Sequence, residues 1–509
     1  MRVLLRHAAA SMAVLSFCML FGAPVAPVAS ASAESDAPAG ANRYAAIDSY
    51  IQDRMKATRV PGLSYAVVGL DGPIHQRSWG TDGHGERVTA DTPFLWGSVA
   101  KPVAATGVMT LVQSGRLSLD DRVVEHLPAF RFGGAAHASK VTVRHLLDQT
   151  AGIPESATFK VTDCLSPGCP RPAERLSALN DLKPLGPPGT VYVYTSANYL
   201  VLTAVAEAVT GRPFADHLRR TVLDPAGMDD AIADAASAGK RDLPPGHQLL
   251  WGIPAAVADG VDDHGAGYGY LGGDLNDLAA FASLHLRGGK TTDGGTVLTP
   301  ESVKLMRQEG RLPAGTGTGY GLGWRIGGLD APLDDAVWHT GATFGYSSML
   351  FLLPERNVAL VLQQNLHGLL HDGAILQVGF GAVRLLAGDR APAGTSASTY
   401  HVTIWGITAL ALALILAAGR SALLLRHPVT PRRRTTVTAA WILFGVLPGI
   451  AAAWLIAELG LHPLRNWLPD VFVALCVAVA AGAVTVALRL ALALRAGELK
   501  LRHGDHHRT

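Results

Sequence analysis

The order of apolar and polar positions divides this chain into stretches of three kinds. From Ala45 to Lys56 apolar residues recur at helical spacing, and Pro61-Gly62-Leu63-Ser64-Tyr65-Ala66-Val67-Val68 reads as a strand turned at Asp71-Gly72. After Asp91-Thr92-Pro93-Phe94, the positions of Val103, Val108, Leu111 and Val112 predict an amphipathic helix that Gly115 closes. Val141 to Leu147 predicts a short helix with Thr142 as N-cap, stopped at Ala151-Gly152-Ile153-Pro154. Residues 155–190, rich in Pro, Ser and Gly, read as a long surface excursion. A strand-like Val191-Tyr192-Val193-Tyr194 then leads into an apolar helix from Asn198 to Val209, capped by Gly211. Helical patterns follow at Asn276–Leu286 and Pro300–Gln308, and strands fill Tyr320 to Gln364. Strands at both ends with helices between them predict an α/β (α+β) domain with a helical insertion.

The third kind of stretch is apolar throughout. About Val402–Ala418, Val437–Ala457 and Val471–Leu488 each approach the ~20 residues that cross a bilayer, after a Gly/Ala/Pro/Ser/Thr linker at 388–400. The first connection carries Arg420, Arg426, Arg432, Arg433 and Arg434, and the second only Arg465. The tail carries Arg489, Arg495, Lys500, Arg502 and Arg508. Positive-inside logic puts the first connection and the tail in the cytoplasm, and three crossings then put the preceding domain outside. The N-terminus demands the same. Arg2 and Arg6 precede an apolar region at 8–28, and Ala31-Ser32-Ala33 offers small residues for signal-peptide cleavage before Glu34. A lipoprotein reading centred on Cys18 fails on bulky Phe17, and an uncleaved anchor is the alternative. The spans hold no internal acidic or histidine relay, Glu458 falling at a span end, so they read as an anchor rather than a transport pathway. A buried helical domain is the other reading of the same windows.

Composition changes this picture little. Charged residues make up 17% of the chain, below the usual quarter or so, which fits membrane segments. A net charge of +2 gives no reason to expect a nucleic-acid partner. No HxxEH-like or CxxC cluster points to a metal. The mature chain would keep Cys164, Cys169 and Cys476. Cys164-Leu-Ser-Pro-Gly-Cys169 has a turn-forming centre that suits a small disulfide ring or two free thiols, and Cys476 reads as a packing residue.

Candidate chemistry centres on Gly97-Ser98-Val99-Ala100-Lys101-Pro102, where the amphipathic helix begins. Residues i and i+3 share a helix face, so Lys101 is expected beside the Ser98 hydroxyl. A serine nucleophile needs a neighbouring base. A lysine drawn out of water has a depressed pKa and can serve as one, and the helix N-terminus offers N–H groups to an oxyanion. Ser237-Ala238-Gly239-Lys240 has the same spacing with no apolar helix after it, so spacing alone does not decide.

The wider series of motifs resembles the serine β-lactamase-like hydrolases, nearest to class C β-lactamases and their penicillin-binding-protein, esterase and peptidase relatives, over about residues 44–385. Gly97–Pro102 is similar to the nucleophile motif, and Gly115-Arg116-Leu117-Ser118-Leu119-Asp120-Asp121 to the segment after its helix. Arg144-His145-Leu146-Leu147 with Thr150-Ala151-Gly152-Ile153-Pro154 resembles another hallmark run. Pro188-Gly189-Thr190 followed by Tyr194-Thr195-Ser196 stands at the Tyr-x-Asn region. Tyr320-Gly321-Leu322-Gly323-Trp324 then precedes His339-Thr340-Gly341, where β-lactamases carry Lys-Thr-Gly.

The resemblance implies an antiparallel sheet flanked by helices with an all-helical subdomain, and an acyl-enzyme reaction that uses no cofactor and no metal. Ser98 would be the nucleophile, Lys101 and Tyr194 would share its proton, and the N–H groups of Ser98 and Ala342 would hold the oxyanion. His339-Thr340-Gly341 would form the strand edge along which substrate lies, with Ser196 bonding Lys101. By pattern alone Tyr194 also reads as a strand aromatic and His339 as a satisfied strand histidine. Tyr192, His145, Trp324 and Trp338 read as packing residues.

Two departures bear on substrate. Ser196 replaces an asparagine and offers fewer contacts. His339 replaces a permanent cation with a group that titrates near neutrality. Both lower the expectation of β-lactam hydrolysis. The expected order is an ester or small acyl compound, then a D-amino-acid peptide, then a β-lactam. The expected organisation is a signal peptide at 1–33, a hydrolase domain at 34–387, the linker, three transmembrane helices at 401–495 and a cytoplasmic tail at 496–509. A catalytically silent cell-envelope binding module is the rival reading, and a transporter with an extracellular domain the third.

Overall fold

The computed structural model describes residues 41–505 apart from 167, 309, 311–316, 395–396 and 427–434. The leader expected at 1–33, Arg432–Arg434 and Arg508 lie outside the described residues. The chain divides into two units, Ala37–Leu249 with Ile253–Ser396, and Leu250–Gly252 with residues from Ala397 onward.

In the first unit the predicted opening helix is α1 (Ala41–Thr58), followed by β1 (Gly62–Gly69) and β2 (Gly72–Gly80). The apolar stripe after the serine motif becomes α2 (Ala100–Gln113), entered through a 3-10 turn at Gly97–Val99. Thr142 caps α3 (Val143–Leu147), its hydroxyl accepting the His145 N–H while His145 Nδ1 accepts the Thr142 N–H. Then come α4 (Ser196–Thr210), α5 (Leu275–Leu286) and α6 (Pro300–Gln308). The strand-rich end supplies β3 (Gly319–Tyr320), β4 (Arg325–Ile326), β5 (Val337–Thr343), β6 (Tyr346–Leu353) and β7 (Val358–Gln364), and α7 (Asp372–Leu386) closes the unit.

These strands form one antiparallel sheet in the order β2-β1-β7-β6-β5-β4-β3. β1 and β6 are buried at every position, as strands covered on both faces must be. Successive residues of β7 show the two faces. Gln363 accepts from the Trp96 indole at 2.9 Å on one side, and Gln364 donates to the Ile375 carbonyl of α7 on the other. α5 packs on the Trp96 side, where Ser283 donates to the Gly69 carbonyl. α1 and α7 pack together on the opposite side.

Two expectations change. Val191–Tyr194 is not a strand, since it pairs with no ladder. Its Val193 N–H bonds the Gln149 carbonyl at 2.9 Å instead. The excursion at 155–190 carries short helices at Thr158–Val161 and Pro172–Arg175, and a disulfide joins Cys164 to Cys169.

Trp96 sets the height of the serine turn over the sheet. Its indole is held by Gln363 and its carbonyl accepts the Ser348 hydroxyl at 2.6 Å. Gly97, at φ +53°, lies against the Ala342 backbone, and a Cβ on Gly341 would run into the Trp96 carbonyl and come within 2.8 Å of the Val99 nitrogen. Only hydrogen fits on either side of this contact. The backbones of Ser98 and Ala342 are neighbours as a result.

The second unit holds α8 (Ser398–Leu425), α9 (Thr435–Leu459), α10 (Leu461–Trp467) and α11 (Pro469–Asp505). Three stretches, Ser398–Leu425, Val437–Leu459 and Pro469–Arg495, are long and apolar enough to cross a membrane. The third is longer than its apolar window and takes in three charged residues, Asp470, Arg489 and Arg495. Asp470 accepts the Tyr400 hydroxyl at 2.7 Å, and the buried Arg489 guanidinium lies 5.8 Å from the Trp441 ring centre.

Gly341→Ala is expected to destabilise the first unit by about 1–3 kcal/mol through overpacking, read as a lower unfolding midpoint of the detergent-solubilised chain. An unchanged midpoint would show that the turn and β5 have room to part.

Candidate active site

Ser98 sits in the 3-10 turn and Lys101 in the first turn of α2, where the missing N–H of Pro102 costs no helix bond. Lys101 has no exposure to solvent, and three oxygens surround its amine. Nζ lies 2.8 Å from Ser98 Oγ, 3.1 Å from Ser196 Oγ and 2.8 Å from the Tyr268 carbonyl. Desolvation pulls its pKa well below the usual lysine value; the Arg325 charge pushes the same way and Asp163 opposes. A neutral amine held like this keeps its two protons on Ser196 and Tyr268 and turns its lone pair to Ser98. It can then take the hydroxyl proton.

Tyr194 reaches the same point from the start of α4. Lys101 Nζ is 5.1 Å from its ring centre. Burial raises the phenol's pKa, against smaller downward pulls from Arg325 and from a hydrogen bond with Ser98. The tyrosine is therefore held neutral, and of the two groups that were to share the serine proton only the amine is tuned as a base. The turn carrying Tyr194 is fixed by Gln149, a residue the sequence reading passed over. Gln149 adopts φ +64°, and its side-chain oxygen accepts the Thr195 N–H at 3.1 Å and the Asn198 amide at 2.6 Å.

His339 is fully buried in β5. Nδ1 lies 2.6 Å from the Thr340 carbonyl, which can only accept, so Nε2 at 3.1 Å accepts the Tyr320 hydroxyl. Both nitrogens are used. Burial, with the Arg325 charge, holds its pKa well down, so it carries no charge near neutrality. Gly341 and Ala342 line the strand edge beside the serine turn.

A cation stands close by. The Arg325 guanidinium, on β4, stands 4.7 Å from the Tyr194 ring centre and 5.5 Å from that of Trp338. Arg325 was not singled out in the sequence because a two-residue strand is too short to show alternation. Tyr192, expected in the core, is 43% exposed, with its ring centre 5.9 Å from that of Tyr320. Trp324 and Trp338 are core residues and His145 caps a helix, in line with their packing readings. The second Ser-x-x-Lys assembles nothing, since Ser237 donates to Asp234 at 2.6 Å and Lys240 is exposed.

The chain is 34% identical over 330 residues to penicillin-binding protein 4 of Amycolatopsis lactamdurans, covering 62% of this chain and 84% of that one. Its fold is similar to the octameric penicillin-binding protein homologue from Pyrococcus abyssi, at TM-score 0.58 and 21% identity over 72% of this chain and 81% of that one. It is also similar to EstCE1, a hydrolase with promiscuous acyltransferase activity, at TM-score 0.54 and 21% identity over 64% of this chain and 93% of that one. The family model described as Beta-lactamase matches residues 47–376, and the chain belongs to that family.

Proposed function

We propose that this protein is a membrane-anchored serine hydrolase that works through an acyl-enzyme on Ser98. The observation that carries the reading is the buried Lys101 amine 2.8 Å from Ser98 Oγ, with acceptors at its other two positions. Ser98 Oγ attacks the substrate carbonyl carbon while its proton moves to Lys101 Nζ. The neighbouring N–H groups of Ser98 and Ala342 hold the oxyanion. As the tetrahedral intermediate collapses, the proton passes through the Tyr194 phenol to the leaving group. Water then attacks the acyl-serine by the reverse relay.

Arg325 bears on substrate class. The loss of a cation at His339 had favoured an ester or a differently charged peptide, and the guanidinium beside Tyr194 supplies a cation. That favours an acyl substrate carrying a carboxylate, such as a D-amino-acid peptide or its ester, over a neutral ester. The expected topology keeps the hydrolase unit outside the membrane and the tail in the cytoplasm. The silent binding module is favoured by one observation, Ser196 in place of asparagine, and Lys101 still finds an acceptor there at 3.1 Å.

A fluorophosphonate or activated-ester probe is expected to label the full chain at Ser98, and Ser98→Ala to abolish labelling. Equal labelling of both would refute the reading.

Because the neutral amine is the base, labelling should rise with pH through the Lys101 pKa and level off below the ordinary lysine range. Arg325 holds that pKa down, so Arg325→Met should move the rise to higher pH. It should also remove any preference for a substrate with a free carboxylate over its amide. A rise at unchanged pH would sink the assignment of Lys101 as base.

A further inference from the structure

The third oxygen around Lys101 is a backbone carbonyl, and the chain invests heavily in holding it. Tyr268 lies in a turn closed by Gly265 N–H on the Asp262 carbonyl at 2.8 Å and Tyr268 N–H on the Gly265 carbonyl at 3.1 Å. Its hydroxyl donates to the Asp262 carboxylate and accepts the Asp163 N–H at 3.1 Å. Asp262 has no exposure, yet five donors converge on its carboxylate. Arg175 makes a two-pronged pair with it at 2.6 and 2.8 Å, Cys164 N–H reaches it at 3.0 Å and His264 N–H at 3.1 Å, beside the Tyr268 hydroxyl.

Arg175 and Cys164, and Asp163 on the Tyr268 hydroxyl, come from the excursion at 155–190. Arg175 is anchored there by the Pro170 carbonyl at 2.8 Å. Cys164 is tied into a small ring by its disulfide to Cys169. Asp163 takes φ +62°, in the left-handed region that aspartate tolerates better than most residues. Its carboxylate also accepts the Tyr270 hydroxyl at 3.0 Å. A buried ion pair is a poor means of adding stability, because desolvation offsets most of the attraction. Its value here is geometric.

We propose that Asp262 is a positioning residue for the reaction, and that the Arg175–Asp262 clasp fixes the Tyr268 carbonyl so that the Lys101 lone pair points at Ser98. Ser196 alone would leave the amine free to rotate about its contact, with an N–H as readily as the lone pair facing Ser98. With both acceptors fixed, one orientation remains. This rests on the acyl-enzyme reading above.

The test uses the full chain in detergent and follows the rate of Ser98 labelling against pH for the wild type, Asp262→Asn, Tyr268→Phe and the pair Arg175→Gln with Asp262→Asn. The double variant leaves no unpaired buried charge. Tyr268→Phe keeps the ion pair and cuts the hydroxyl's bonds to Asp262 and from the Asp163 N–H, so at least one variant should fold. The expected result is a plateau rate lower by about ten- to a hundredfold per folded molecule, the scale of small misplacements. Loss of an acceptor that favours the protonated amine should also move the rise in rate to lower pH. Arg325, Asp163, Tyr194, Tyr199 and His339, the other groups around Lys101, keep their side chains in every variant, and Asp163 loses a backbone bond only in Tyr268→Phe. A clasp that only stabilises the fold would lower the unfolding midpoint and leave plateau and pH profile as in the wild type, and that result would overturn the proposal. An unlabelled wild type would overturn the acyl-enzyme reading instead, and the present one with it.

Discussion

A primary amine with no contact with water is the condition that the catalytic unit is built to satisfy. Left ionised and unpartnered, such a group would cost several kcal/mol of stability. The protein meets that cost by depressing the amine's pKa and setting three oxygens around it. Each oxygen arrives from a different part of the chain. Ser98 comes from the turn before α2, Ser196 from the start of α4, and Tyr268 from the loop before α5. Much of the packing between these elements can be read as the means of keeping those atoms within 3.1 Å of one nitrogen.

The same requirement explains why Trp96 and Gly341 matter although neither carries chemistry. Ser98 can reach Lys101 from any well-formed first turn. It can present its N–H beside that of Ala342 only if the turn rests directly on β5. Gln363 and Ser348, buried polar residues in strands filled mostly with apolar ones, hold Trp96 at that height. Their hydrogen bonds are satisfied, so they add direction to the core at little cost.

What could be read from the sequence was what is local. The stripe of α2, the cap at Thr142 and the run of β6 each depend on spacings within a few residues, and their pattern shows at once. The Ser98–Lys101 pair is local too. The rest of the site is not. Tyr194 was placed on a strand because Val-Tyr-Val-Tyr alternates, whereas that segment bonds Gln149 and joins no ladder. Arg325 and the Tyr268 carbonyl carry no sequence signal, since one sits in a two-residue strand and the other is backbone. His339 could be weighed only once Tyr320 was seen on its second nitrogen. Both of its nitrogens are bonded, and a guanidinium stands beside Tyr194 from fourteen positions earlier, at Arg325.

The strand order has a consequence for how the molecule is made. Leu63 of β1 pairs with Gln364 of β7, so the middle of the sheet joins the first and last strands of the unit. While the chain is being synthesised, the β1–β2 hairpin has one edge with no neighbour until nearly all of the unit has emerged. Contacts this distant in sequence close slowly. The sheet is therefore completed after translation of the unit rather than during it, and a chain truncated before residue 358 would leave that edge open to pairing with other chains.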